Sequence, residues 1–209
     1  NASFKPKQCK NLTTLDGIEI DLYINANLTE DLASLGQGIV KGVGLYRTEI
    51  AFMRRDTVPS VETQTNLYRQ ILDAAGEKPV LFRTLDIGGD KIIPQFQGAK
   101  DPHRTKTIHN WRAIRLTLDK PMIMRQQLRA LIKARTSSRF PKHPLYLMIP
   151  MLAEPSEFIA TSQLIEIEVE REKRMGNPIP KEVKVGAMIE IPALVHQLSY
   201  LAPFVDFLT

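Results

Sequence analysis

The sequence predicts an α/β protein, a parallel sheet covered by helices, and three observations carry that reading. Six short apolar runs recur along the chain, each the size of a buried strand, and amphipathic helical segments separate them. Several runs end on charged residues, so the charge gathers at one end of the strands, where α/β folds place their ligand sites. A complete (β/α)8 barrel has eight strands and typically ~250 residues. With six strands in 209 residues, the expectation is a (β/α)8 barrel that stops in its sixth strand. A complete open six-stranded sheet is the alternative. A cut barrel would leave two open edges, covered by dimerisation or strand exchange.

Residues 1–15 are polar with a proline and read as a lead-in, with Asn1-Ala2 fitting the scar of a cleaved tag; the partial barrel then takes 16–209. Asp16-Gly17 is a turn, and the alternation from Ile18 to Ile24 predicts the first strand. Leu28 to Leu35 reads as a short helix broken by Gly36 and Gly38. Val43 to Tyr46 is the second strand and delivers Arg47-Thr48-Glu49, after which Ile50 to Met53 packs the loop over the strand ends. Ser60 is the expected N-cap of a helix whose Leu67, Ile71, Leu72 and Ala75 face inward and which Gly76 ends.

The third strand, Val80 to Phe82, runs into a dense charged turn, Arg83 to Lys91. Arg83 and Lys91 suit an anion, and Gly88-Gly89 allow backbone N–H groups to approach it; a merely solvated turn is the other reading. From Ile92 to His143 the strand–helix rhythm is interrupted by an excursion holding Trp111, a packing residue or part of a site with Arg112 and Arg115. Pro121 opens a helix with Met124, Leu128, Leu131 and Ile132 inward, and Arg125, Arg129, Lys133 and Arg135 expected on a solvated face. Leu145 to Ile149 is the fourth strand. The long helix from Glu154 to Met175 carries an expected charged outer face over Glu166 to Arg174. Val183 to Ile189 is the fifth strand and ends on Glu190, which is either a metal ligand or the ion-pair partner of an arginine. Pro192 starts the next helix, in which His196 reads as structural, and Phe204 to Thr209 begins the sixth strand.

Composition narrows the function. Apolar content of 43% and charged content of 24% are ordinary for a globular protein, and no apolar run reaches a membrane span. A single cysteine, Cys9, excludes an internal disulfide and fits a cytoplasmic, reducing compartment; nothing around it suggests a nucleophile. The net charge of +5 is scattered and lacks aromatic interleaving, which favours a small anion over nucleic acid.

Four motifs in order, Gly42-Val43-Gly44-Leu45-Tyr46-Arg47-Thr48-Glu49, Arg83-Thr84-Leu85-Asp86-Ile87-Gly88-Gly89-Asp90-Lys91, Trp111-Arg112-Ala113-Ile114-Arg115 and Gly186-Ala187-Met188-Ile189-Glu190-Ile191-Pro192, resemble enzyme I. This family comprises the phosphoenolpyruvate–protein phosphotransferases of bacterial phosphotransferase systems. The likeness runs from about residue 15 onward, and Leu15-Asp16-Gly17 with Asn25-Ala26-Asn27 looks most like the nitrogen-related paralogue. The resemblance implies a (β/α)8 TIM barrel of the phosphoenolpyruvate/pyruvate type. It implies that Arg47, Arg83 and Arg112 bind the substrate and that Glu190 is one of two carboxylates on Mg2+. It also implies a phosphoryl transfer to a histidine on a separate domain, a histidine-containing phosphocarrier protein as partner, and a homodimer. The family's phosphohistidine and acid cysteine have no counterpart here, so a chain of this extent is expected to be inactive alone. The alternatives are a non-catalytic dimerisation module or another Mg2+-dependent barrel enzyme acting on pyruvate enolates.

Overall fold

The computed structural model describes residues 12–36, 38–53, 57–86 and 113–209. Its centre is a curled sheet of six strands in chain order, every neighbouring pair parallel. The strands are β3 (Leu22–Ala26), β4 (Val40–Arg47), β5 (Val80–Arg83), β6 (Leu145–Ile149), β7 (Val183–Ala187) and β8 (Phe207–Leu208). The sequential order and the curl are those of a partial (β/α)8 barrel, as expected, and not of a doubly wound sheet, whose order reverses at a switch point.

Why the strands lie where they do follows from burial. Val43, Tyr46, Val80, Phe82, Leu145, Leu147 and Ile149 are all core residues, and β5 and β6 are covered on both faces, as parallel strands require. Phe82 sits at the centre, with the rings of Tyr46 and Tyr68 each edge-on to it at 5.5 Å. Helices Val61–Ala75, Pro121–Ser137 and Pro155–Arg174 form the outer layer. The capping signals act as read: the Ser60 hydroxyl accepts from the Thr63 N–H at 3.2 Å, and Gly76 ends that helix at φ 66°. Gly42 is needed for a close approach, since a Cβ there would lie 2.6 Å from the Pro79 carbonyl oxygen.

Several expectations are corrected. The predicted first strand divides: β2 (Glu19–Ile20) pairs antiparallel with β1 (Leu12–Thr13), and the parallel strand starts only at Leu22. Leu12 and Thr13, read as lead-in, therefore belong to a small ribbon closed by Gly17 at φ 88°. The segment after β3 is a 3-10 helix, Thr29–Gly36, rather than an α-helix. On the 61–75 helix Leu67 is only half-buried, and the inward face includes Gln64 and Tyr68. His196 is exposed, not a core histidine.

On the basic face of the 121–137 helix only Lys133 is exposed as expected; the three arginines are not. Arg125 and Arg129 both pair with Glu168, whose side chain is wholly buried between the two helices. Arg135 is buried, donates to the Phe140 carbonyl, and is pushed down to about 10 by that burial. Likewise Glu172, assigned to an outer face, is buried and accepts from Arg171 and Asn177. Among the described residues, no helix is long and apolar enough to cross a membrane.

Candidate functional site

Parallel pairing brings the C-terminal ends of all six strands to one rim, and the predicted site residues that the structure describes lie there. Arg47 closes β4 and Arg83 closes β5; the two are register partners. Arg83 is in turn the partner of Met148, and Ile149 of Ala187, so the rim continues to β7. The Met188 N–H donates to the Ile149 carbonyl at 3.0 Å and the Ile189 N–H to that of Thr209 at 2.8 Å, which carries Glu190 to the same rim. Arg112 lies outside the described residues, as do Trp111 and the Gly88 to Lys91 turn.

The two arginines differ in state. Arg47 is exposed and forms no ion pair among the described residues. Arg83 is buried, its Nη2 paired with Glu49 and lying 3.5 Å from Asp86. Its Nε and the Glu49 Oε2 have no hydrogen-bond partner among the described residues. A buried guanidinium N–H left unmatched costs free energy until an acceptor arrives. Arg83 is thus fixed by carboxylates on one side and keeps a donor in hand.

Behind the arginines is a set of buried polar groups that sequence reasoning did not assign. The Thr48 hydroxyl donates to the Arg83 carbonyl at 2.8 Å. Gln127 Nε2 donates to Thr48 Oγ1 at 2.9 Å and to the Tyr68 hydroxyl at 3.3 Å, while Gln127 Oε1 accepts from the Leu85 N–H at 2.9 Å. Tyr68 passes its own proton to Gln64 Oε1 at 3.3 Å, and Gln64 Nε2 donates to the Pro59 carbonyl at 2.8 Å. Burial raises the Tyr68 phenol far above its ordinary value, the Gln127 bond offsetting part of this, so it stays a neutral donor. The one signal in the sequence was Gln127 itself, a polar residue within the apolar stripe of Met124, Leu128 and Leu131. Phe52, Leu85 and Ile123 pack as a separate apolar cluster, as expected of the segment after Glu49.

Glu190 is exposed, forms no ion pair with an arginine among the described residues, and its Oε2 accepts from the Met151 N–H at 2.9 Å. Met151 has φ 58°, the left-handed region that a branched or bulky side chain rarely adopts. That bend follows Pro150 and aims an N–H at the carboxylate. One carboxylate oxygen is thereby oriented. Among the described residues no cluster of three or more His, Cys, Asp or Glu surrounds it. Such a donor set fits Mg2+, which takes one or two carboxylates and fills its shell with water and substrate oxygens; it does not fit a cage for zinc.

A family model for the phosphoenolpyruvate (PEP)-binding domain of PEP-utilising enzymes matches residues 2–209. The chain belongs to this family. Among its relatives, a phosphoenolpyruvate-protein phosphotransferase of Staphylococcus carnosus is 39% identical over 194 residues, covering 93% of the chain and 32% of the relative. A protein of the same name from Cupriavidus necator is 41% identical over 202 residues, covering 94% and 33%. The one from Staphylococcus aureus is 37% identical over 194 residues. The chain thus spans about a third of the length of the curated relatives it matches. For a PEP-binding domain, the rim with Arg47 and Arg83 is where anionic substrate is to be sought.

Proposed function

We propose that this chain forms the PEP-binding part of a phosphoenolpyruvate–protein phosphotransferase, with Arg47, Arg83 and Arg112 holding the substrate and Glu190 contributing one ligand to Mg2+. The observation that carries the reading is the register pairing of Arg47 with Arg83 at the rim of a PEP-binding domain. PEP is a compact trianion, and planar guanidinium groups engage its phosphate oxygens through paired hydrogen bonds. The Arg83 Nε is a buried donor without a hydrogen-bond partner among the described residues. When bound, the metal supplies charge neutralisation for the phosphoryl group and the enolate. The chain's own residues bind and orient: Arg47 takes up negative charge from solvent, Arg83 stands fixed between Glu49 and Asp86, and Glu190 is aimed by the Met151 N–H.

The reading extends to the names of the relatives, so the phosphoryl group would pass to a histidine of the full protein and on to a histidine-containing phosphocarrier protein. A homodimer in the cytoplasm belongs to the same proposal. Calorimetry with PEP and Mg2+ is the test. Arg47→Ala removes an exposed cation that forms no ion pair among the described residues, so the fold is expected to keep its melting temperature. Affinity should fall by about 1.5–3 kcal/mol, one charge-assisted contact, or roughly 10- to 100-fold. Unchanged affinity in Arg47→Ala would overturn the site.

A further inference from the structure

We infer that Gln127 is a positioning residue that locks the two arginine-bearing strand ends into one geometry and so sets the preference of the site for PEP over simpler phosphates. The inference rests on the PEP-site reading but concerns a residue that touches no ligand. Gln127 is wholly buried, on a helix of the outer layer, and its amide reaches across the sheet to both strand ends. Thr48, its partner on one side, directly follows Arg47; Leu85, on the other, lies two residues beyond Arg83. Thr48 in turn holds the Arg83 carbonyl. One side chain therefore ties together the segments that present the two cations.

The chemistry admits a single orientation of the amide. The Leu85 backbone N–H can only donate, so it must face Oε1. Nε2 then has two acceptors, Thr48 Oγ1 and the Tyr68 oxygen, and each hydroxyl spends its own proton elsewhere, on the Arg83 carbonyl and on Gln64. Every partner is buried. A buried amide is at best a modest contributor to stability, because its hydrogen bonds largely replace those made to water. Its distinctive property is directional: it fixes separations and angles that apolar packing leaves loose. A substrate with phosphate and carboxylate must satisfy several donors at once and depends on their spacing. Inorganic phosphate can be served by either arginine alone.

The experiment compares wild type with Gln127→Met, a near-isosteric apolar replacement, and with Thr48→Val, which removes the link to the Arg83 carbonyl. Dissociation constants for PEP with Mg2+ and for inorganic phosphate are measured well below each variant's melting midpoint, and amide exchange is followed by NMR. Gln127→Met should weaken PEP by about 10-fold or more while phosphate changes by less than about 3-fold. Exchange at Thr48–Glu49 and Leu85–Asp86 should accelerate, with Val80 to Phe82 still protected. Thr48→Val should show the same selective loss, smaller in size. A parallel fall in both affinities, or no fall in either, overturns the inference. If wild type binds phosphate but not PEP, the PEP reading fails; exchange that speeds up only at the two strand ends would still uphold Gln127 as their lock, and unchanged exchange would remove that too.

Discussion

One helix, Pro121–Ser137, builds two buried polar clusters that differ in kind. Gln127 points to the sheet and closes a neutral network; Arg125 and Arg129, each two residues away and so on the opposite side of the helix, close a charged one around Glu168. The neutral cluster has its donors and acceptors matched in pairs and sits under the strand ends. The charged cluster lies between two outer helices. The difference separates two uses of buried polarity. The first sets geometry at a site with little net energy; the second holds a wholly buried carboxylate that is tolerable only while both arginines stay.

The largest expected effect falls on the charged side. Glu168→Ala leaves two half-buried guanidinium groups facing each other without an anion, at a cost of about 3–5 kcal/mol. Denaturant unfolding would measure it, and PEP affinity should not move. The pH profile has a definite sign. Burial alone would raise the Glu168 carboxyl, but the hydrogen bonds and charges of Arg129 and Arg125 outweigh it and hold it below its ordinary 4.5. Its stabilisation is complete above that value and is lost as pH falls through the depressed folded value. Wild type should therefore lose stability below pH 4.5 more steeply than Glu168→Ala. Identical acid limbs would mean the cluster is screened like a surface pair.

The sequence makes the strands legible because each is a short apolar run ended by turn or charged residues, and the helices because Ser60, Gly76 and Pro121 carry standard terminal chemistry. Arg47, Arg83 and Glu190 were legible as strand-end residues for the same reason. What stayed hidden is partnership. Alternation over Ile18 to Ile20 looks the same whether the partner is parallel or antiparallel, and only the Gly17 turn, closing on Leu12–Thr13, decides it. Helical periodicity shows which face meets the sheet but not which flank meets the next helix, so Arg125, Arg129, Glu168 and Glu172 read as solvated. Glu49 and Gln127 escaped because their partners lie 34 and up to 79 positions away.

A smaller effect is expected on the neutral side. Tyr68→Phe keeps the ring against Phe82 and removes only the hydroxyl, leaving one Gln127 donor and Gln64 Oε1 without that partner. The cost should be about 1–2 kcal/mol in unfolding, since the remaining bonds of Gln127 to Thr48 and Leu85 persist. A loss as large as that of Glu168→Ala would dissolve the distinction between the clusters.

The smallest effect calibrates both. Lys173 lies 3.9 Å from Glu170, and both side chains are more than half exposed. The pair belongs to the same helix as Glu168 and differs from it mainly in solvation. In water the Coulomb attraction is weak, and ordering two long side chains offsets most of it. Lys173→Ala should cost less than about 0.5 kcal/mol, and added salt should erase even that. The Glu168 cluster, with its carboxylate out of solvent, should keep most of its effect at the same ionic strength. Thermal unfolding of the two variants across a salt series separates these outcomes. If salt weakens both equally, burial is not what distinguishes the charged cluster, and its cost must be assigned to helix packing instead.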